Sequence, residues 1–382
     1  GYMDLVMNGY NGTENIVNLY INNTDGSYTL TQTDIIGTTN GRIRTADFNN
    51  DNLSDIIITG VDTSGTYSAR VYIQNMQGDF ELKINSLMAN YFGDIAILDG
   101  DADGDLDVLL TGFDLNYAPN AKFYLNDGTG IFTEKTDAGI EGIYFSSSSV
   151  ADYDMDGDLD ILINGFNTSY TAETALYSND GSNIFTKLTS TPFENLYFGT
   201  ADFVDSDLDG DMDIFITGQN SSSVSKSYFY KNENGVYSID QAITDTILGL
   251  SISTTYWEDY DNDLDLDLIY SGFDTTSTRQ IRVYINNLNE PTFEYASIET
   301  SDKNSLFTLF PNPNDGEFSI RLNHFSTQKA IYSIYDITGK LITNGQIENY
   351  EKKINISHIK KGTYILKLAT NDAVYTEKFS IK

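Results

Sequence analysis

The sequence predicts an all-β chain: a β-propeller of about six visible four-stranded blades, then a small C-terminal antiparallel β-sandwich. Three observations carry this. Asp4, Asp55, Asp107, Asp160, Asp213 and Asp267 recur at gaps of 51, 52, 53, 53 and 54 residues, the period of one supersecondary unit per repeat. Each Asp closes an acidic loop and opens an apolar run, clearest in Asp99-Gly-Asp-Ala-Asp-Gly-Asp-Leu-Asp107 followed by Val108-Leu-Leu-Thr-Gly112. Tyr (27) and Phe (21) are abundant and Pro is scarce (5), which favours strands over helices.

Each repeat reads as four strands. In the second copy Arg42-Ile-Arg-Thr-Ala-Asp-Phe48 enters the loop and Asp55-Ile-Ile-Ile-Thr-Gly60 leaves it. Ala69-Arg-Val-Tyr-Ile-Gln-Asn75 and Gly78-Asp-Phe-Glu-Leu82 complete the unit. Short β-branched and aromatic runs split by Asn, Asp and Gly turns are hairpin strands. No window carries a sustained 3.6-residue apolar period. An apolar run unbroken by polar positions fits a strand covered on both faces, as radial packing of four-stranded sheets requires. Five repeats are complete and the first lacks its opening strand. The chain opens at Gly1-Tyr-Met-Asp4, inside an acidic loop, so the expectation is an N-terminally truncated propeller whose parent has six, seven or eight blades.

The loops follow D-x-D/N-x-D-G-x-x-D. Their side-chain ligand candidates are Asp47, Asn49, Asp51 and Asp55; Asp99, Asp101, Asp103 and Asp107; Asp152, Asp154, Asp156 and Asp160; Asp205, Asp207, Asp209 and Asp213; and Asp259, Asp261, Asp263 and Asp267. Alternate side chains of a curled loop converge on one point, and position six needs a positive φ. Gly104, Gly157 and Gly210 supply it, Asn52 tolerates it, and Leu264 is the misfit. Oxygen donors at every second position suit a hard cation, so the expectation is about five structural Ca²⁺ ions, with the seventh-position carbonyl completing each shell. Without a cation the crowded carboxylates raise one another's pKa.

Residues 1–300 hold 11 Lys/Arg against 48 Asp/Glu, a net of −37, while residues 301–382 carry +3. Such an acidic surface repels phosphate backbones, so no nucleic-acid partner is expected. No apolar run reaches the ~18 residues of a membrane span. There is no Cys, and both His, His324 and His358, lie in the tail. Residues 1–298 therefore offer no His/Cys zinc site and no Ser-His or Cys-His nucleophile pair. No catalytic residues are assigned. Tyr72, Tyr124, Tyr177 and Tyr284 share one repeated place and read as packing. So do Tyr10, Phe113, Phe166 and Phe273, between blades. Tyr67, Tyr117 and Tyr170 fall in polar loops, where exposed rings can stack on sugars.

The loop-plus-strand unit over residues 1–298 resembles the FG-GAP/VCBS repeat of Ca²⁺-binding propellers. The resemblance implies a secreted or surface module that binds or adheres to glycan or protein. Its alternatives are a polysaccharide lyase, an accessory module of a carbohydrate-active enzyme, or a structural surface-layer module.

Composition shifts after about residue 298. Glu299-Thr-Ser-Asp-Lys-Asn-Ser305 reads as a polar linker, and residues 306–382 as short alternating strands making a sandwich. Leu309-Phe-Pro-Asn-Pro313, Ile334-Tyr-Asp-Ile-Thr-Gly-Lys340, Lys361-Gly-Thr-Tyr-Ile-Leu366 and Glu377-Lys-Phe-Ser-Ile-Lys382 resemble the type A C-terminal sorting domain of type IX secretion substrates of Bacteroidota. That resemblance implies the type IX machinery as partner, cleavage near the linker, and delivery outside the cell or to its surface.

Overall fold

Alternate residues along each blade's second strand face opposite neighbours, and this is what lines the blades up. In Asp55–Asp62, Ile57 packs with Val108, Leu110 and Tyr124 of the next blade, while Ile56 and Ile58 meet Val17 of the one before. Leu109 then faces Ile161 and Ile163; Leu162 faces Ile214 and Ile216; Phe215 faces Leu268 and Tyr270. Nearly all of these are less than 3% exposed. The apolar run after each loop is thus two interfaces on one strand.

The computed structural model describes residues 3–25, 27–261, 264–286, 294–297, 307–312, 314, 316–322, 330–336, 340–347, 351–369 and 374–382. The expected linker, 299–305, lies outside the described residues, as do Asp263 and His324. The chain divides into two compact units, Gly1–Ile298 and Glu299–Lys382.

The first unit is a propeller of six antiparallel blades. Blade 1 has three strands, Leu5–Tyr10, Asn15–Asn22 and Tyr28–Gln32. Blade 2 is built from Ile43–Ala46, Asp55–Asp62, Tyr67–Gln74 and Phe80–Lys83, with a short Thr38–Thr39 addition. Blade 3 runs Ile95–Leu98, Asp107–Phe113, Pro119–Asn126 and Phe132–Lys135. Blade 4 follows as Ile143–Ala151, Asp160–Asn167, Ala172–Asn179 and Phe185–Lys187. Blade 5 is Ala201–Val204, Asp213–Gln219, Ser225–Glu233 and Val236–Ile239, and blade 6 is Ser251–Glu258, Asp267–Phe273, Arg279–Ile285 and Glu294–Ser297. The inner-strand segments of blades 2–6 surround a central cavity.

Blades 2 to 6 are each tied to the segment entering them by a buried tyrosine. The hydroxyls of Tyr72, Tyr124, Tyr177, Tyr230 and Tyr284 accept the amides of Ile36, Met88, Glu141, Glu194 and Leu248, every pair 36 residues apart. The expected packing role holds at this place, with Tyr230 a fifth member. One element was not foreseen: the helix Gln241–Thr246, capped by the Asp240 side chain on the Ile243 amide. Six residues are too few to print a helical period. Among the described residues no helix is long and apolar enough to cross a membrane.

The second unit is a sandwich of two antiparallel sheets. One contains Phe307–Phe310, Glu317–Leu322 and Glu351–Asn355; the other Leu341–Ile347, Ala330–Asp336, Gly362–Ala369 and Val374–Ile381. Period-two alternation supplies the core: Phe318, Ile320 and Leu322 from one sheet meet Ile334, Leu366 and Leu368 from the other.

Candidate metal centres

The acidic loops are pre-curled by their own backbone amides. The first Asp accepts from residues five and six. Asp99 takes Asp103 and Gly104, both at 3.1 Å; Asp152 takes Asp156 and Gly157 at 3.1 and 3.0 Å; Asp205 takes Asp209 and Gly210 at 3.1 and 3.2 Å. In the second loop Asp47 accepts Asp51 and Asn52 at 3.1 and 2.7 Å, and in the sixth Asp259 accepts Leu264 at 3.1 Å. The fifth residue accepts the seventh amide: Leu53 on Asp51, Asp105 on Asp103, Asp158 on Asp156, Asp211 on Asp209. Position six is left-handed throughout, including Asn52 (φ 66°) and Leu264 (φ 76°). Position four is left-handed too, in Asn50, Ala102, Met155 and Leu208. Sequence reasoning missed this, because no residue type marks that place.

This curl brings carboxylates together. Ligand-capable oxygens lie within 4.8 Å of one another in four trios: Asp99, Asp101 and Asp103; Asp152, Asp154 and Asp160; Asp205, Asp207 and Asp209; Asp259, Asp261 and Asp267. Asp107, Asp156 and Asp213 stand outside the trios of their own loops. In the second loop Asn49 turns its amide nitrogen on Asp51 at 3.0 Å, so a donor sits among Asp47, Asp51 and Asp55.

The third-position aspartates carry the clearest sign of a missing partner. In Asp101, Asp154 and Asp207 one carboxylate oxygen is buried and has no hydrogen-bond partner among the described residues. Buried acceptors are paired as a rule, and three equivalent orphans in successive loops fit a shared cation. Burial, with the neighbouring carboxylates, pushes Asp101 and Asp154 above their ordinary pKa.

The ninth-position aspartates do a second job. Asp55, Asp107, Asp160, Asp213 and Asp267 are at most 2% exposed. One oxygen of each accepts the amide 19 residues on: Gln74, Asn126, Asn179, Asn232 and Asn286, all at 2.8 to 2.9 Å. The other oxygen takes the Phe48, Tyr153 or Tyr260 amide in three loops, the Asn183 side chain on Asp107, and Ser206 on Asp213. Burial outweighs these bonds and pushes Asp107 and Asp213 up to about 6 and Asp160 up to about 7.

A side-chain latch joins the second to fifth loops each to the following blade. The amide nitrogens of Asn126, Asn179, Asn232 and Asn286 donate to the second-position carbonyls of Phe48, Gly100, Tyr153 and Ser206, at 2.9, 2.7, 2.8 and 2.6 Å. Each Asn thus holds the acidic loop of the preceding blade, from 78 to 80 residues away. The fifth loop departs from the others: the Lys231 ammonium sits on Asp207. The residue before the latch is Ile73, Leu125, Ser178 and Ile285 in the other blades.

At blades 2 to 4 the end where the second strand leaves and the next inner strand begins is aromatic. Phe113 stacks on Tyr144 at 3.9 Å and Phe166 meets Tyr197 at 4.1 Å, both across blades. Tyr67 packs on Tyr91 at 4.6 Å, with Tyr117 edge-on to Tyr91 at 6.1 Å. Tyr117 and Tyr170 are 64% and 59% exposed. Tyr10, grouped with Phe113 in the sequence, is instead exposed, and Phe273 meets Arg279 of its own blade.

Residues 308–382 match the family model described as a secretion system C-terminal sorting domain. Residues 1–58 and 99–163 match the FG-GAP-like repeat. No curated protein matches the chain. Among solved structures, a triple arginine-to-alanine mutant of AofleA from Arthrobotrys oligospora aligns at 12% identity, covering 83% of this chain and 93% of that one, with a TM-score of 0.42. The chain carries FG-GAP-like repeats ahead of a type IX C-terminal sorting domain, and is a secreted repeat protein exported to the cell surface or the extracellular space.

Proposed function

We propose that residues 1–298 are a Ca²⁺-stabilised, non-catalytic binding module that the tail, residues 306–382, delivers outside the cell to engage a glycan or protein. The observation that carries the metal half is the set of equivalent unpartnered oxygens on Asp101, Asp154 and Asp207 within oxygen-only trios. All-oxygen donor sets select hard cations, and the flexible mixture of carboxylates and a carbonyl suits Ca²⁺ better than octahedral Mg²⁺. Ligand residues would be those at positions one, three, five and nine, with the seventh carbonyl. Bound ions would fix the second-position carbonyl that the latch Asn grips, so metal capture would stiffen blade-to-blade contacts.

The binding half is supported by the aromatic end, whose rings lie at the opposite end of the second strands from the acidic loops. Calorimetry of chelator-stripped protein should give Ca²⁺ binding and a higher melting temperature for the first unit. Asp103→Ala should bind one ion fewer while keeping the fold, because blades are semi-independent. Equal melting with and without chelator would count against the metal reading. A glycan array probed with Ca²⁺-loaded full chain tests ligand capture, and a blank array together with no protein partner would leave only a structural module.

A further inference from the structure

Segments of five blades contribute to the central cavity. Its volume is about 800 Å³, within the ~300–1,000 Å³ of small-ligand sites. Its wall combines aromatic and polar residues. Phe92, Phe145 and Phe198 recur every 53 residues and meet ring to ring at 4.6 Å in both steps. Their backbones are left-handed, at φ 53°, 45° and 55°, as are Asn40 and Ile252 at 56° and 47°. Successive blades join there through main-chain bonds, Phe92 to Asn40, Phe145 to Phe92 and Ile252 to Phe198. Bulky residues hold this conformation only where surroundings impose it, and here it places three apolar rings side by side in the cavity lining.

The rest of the lining is mainly polar: Ser146, Ser148, Thr200, Ser253, Thr254 and Thr255, with four charges. Arg42 and Arg44 both pair with Asp94, at 3.3 and 2.9 Å, and Asp94 also accepts the Ser148 amide at 2.9 Å. Asp202 accepts from Thr255 and from the Trp257 indole at 3.4 Å. The lining charges therefore balance. Two donors remain: Arg42 reaches Asp94 through its Nε while its side chain is 47% exposed, and the Ser253 hydroxyl is buried with no partner among the described residues.

We infer that this cavity binds the end of an uncharged oligosaccharide, apolar ring faces against Phe92, Phe145 and Phe198 and hydroxyls against Arg42, Ser253 and Thr254. This rests on the binding-module reading and names its ligand class. Aromatic faces with fixed donors and acceptors suit a polyhydroxylated ring. A charge-balanced wall offers a charged ligand no counter-ion, and the −37 net charge of residues 1–300 repels polyanions.

The test is saturation-transfer NMR and calorimetry on Ca²⁺-loaded full chain at pH 7.5. The probes are maltotriose, cellotriose, xylotriose and mannotriose, with trigalacturonate and chitosan trimer as charged counterparts. At least one neutral trimer should bind, both charged trimers at least tenfold more weakly. Arg42→Met and Thr254→Val should each weaken that binding at least fivefold, with unchanged melting; Tyr117→Ala, outside the cavity, should not. No neutral trimer binding at 10 mM, preference for a charged trimer, or indifference to both cavity variants would overturn the inference. Array ligands that survive the cavity variants would overturn it while leaving the binding-module reading intact.

Discussion

Stability of the ion-free protein should fall as pH rises from 4 to 7.5, the opposite of most carboxylate-rich proteins. Asp107 and Asp213 move from an ordinary 3.8 up to about 6, and Asp160 up to about 7, chiefly because burial disfavours their charged forms. A carboxyl whose folded value is raised binds its proton more tightly when folded. Its contribution is fully present below 3.8 and is lost as pH passes the folded value. At ~1.36 kcal/mol per tenfold change in proton affinity, ionisation costs about 3 kcal/mol at Asp107 and Asp213 and about 4 at Asp160. Together this rivals the ~5–15 kcal/mol that holds a typical domain folded. Asp274, held at about 2 by Thr276 and its neighbours, acts only below pH 4. The measurement is thermal melting from pH 4.5 to 8 in chelator and in excess Ca²⁺. Bound ions favour the ionised form, so the two curves should diverge with pH, and Ca²⁺ binding at pH 6 should release protons. A chelated melting temperature that is flat or rising between pH 5 and 7.5 would refute the reasoning.

Three further outcomes are expected. Lys231→Leu, which installs the residue blade 3 has at that place, frees Asp207 and should raise the affinity of the fifth loop for Ca²⁺ at least tenfold, read by calorimetry. Asn179→Ala removes the donor to the Gly100 carbonyl and should cost ~1–3 kcal/mol in denaturant unfolding, as for other lost buried hydrogen bonds; a loss below 0.5 kcal/mol would show the latch is idle. Residues 299–382 fused to an inert reporter should carry it across the outer membrane of a type IX-competent host, followed by protease accessibility; a periplasmic reporter would contradict sorting.

The acidic loops were legible because their chemistry is local: donors, turn and strand lie within about ten residues, and the 53-residue spacing repeats the statement. The double-sided apolar run was legible for the same reason. The latch was visible only as a mark. Asn126, Asn179, Asn232 and Asn286 keep the loop period, but their acceptors lie 78 to 80 residues away, and nothing local points there. Lys231 reads as an ordinary strand lysine until Asp207, 24 residues earlier, is brought beside it. The cavity wall was the least legible part. Arg42, Asp94 and Thr254 fall at one repeated place, two residues past the left-handed Asn40, Phe92 and Ile252, but a cation, an anion and a hydroxyl at equivalent positions share no motif, and asymmetry among the blades makes a pocket.

The two-faced second strand has an evolutionary corollary. Ile57, Leu109, Leu162 and Phe215 all meet an aliphatic or aromatic pair in the same way. Since these junctions share one packing pattern, a copied or deleted unit finds similar surfaces on either side. Such a lineage can gain or lose whole segments by recombination and still assemble, leaving the solvent-facing loops free to diverge.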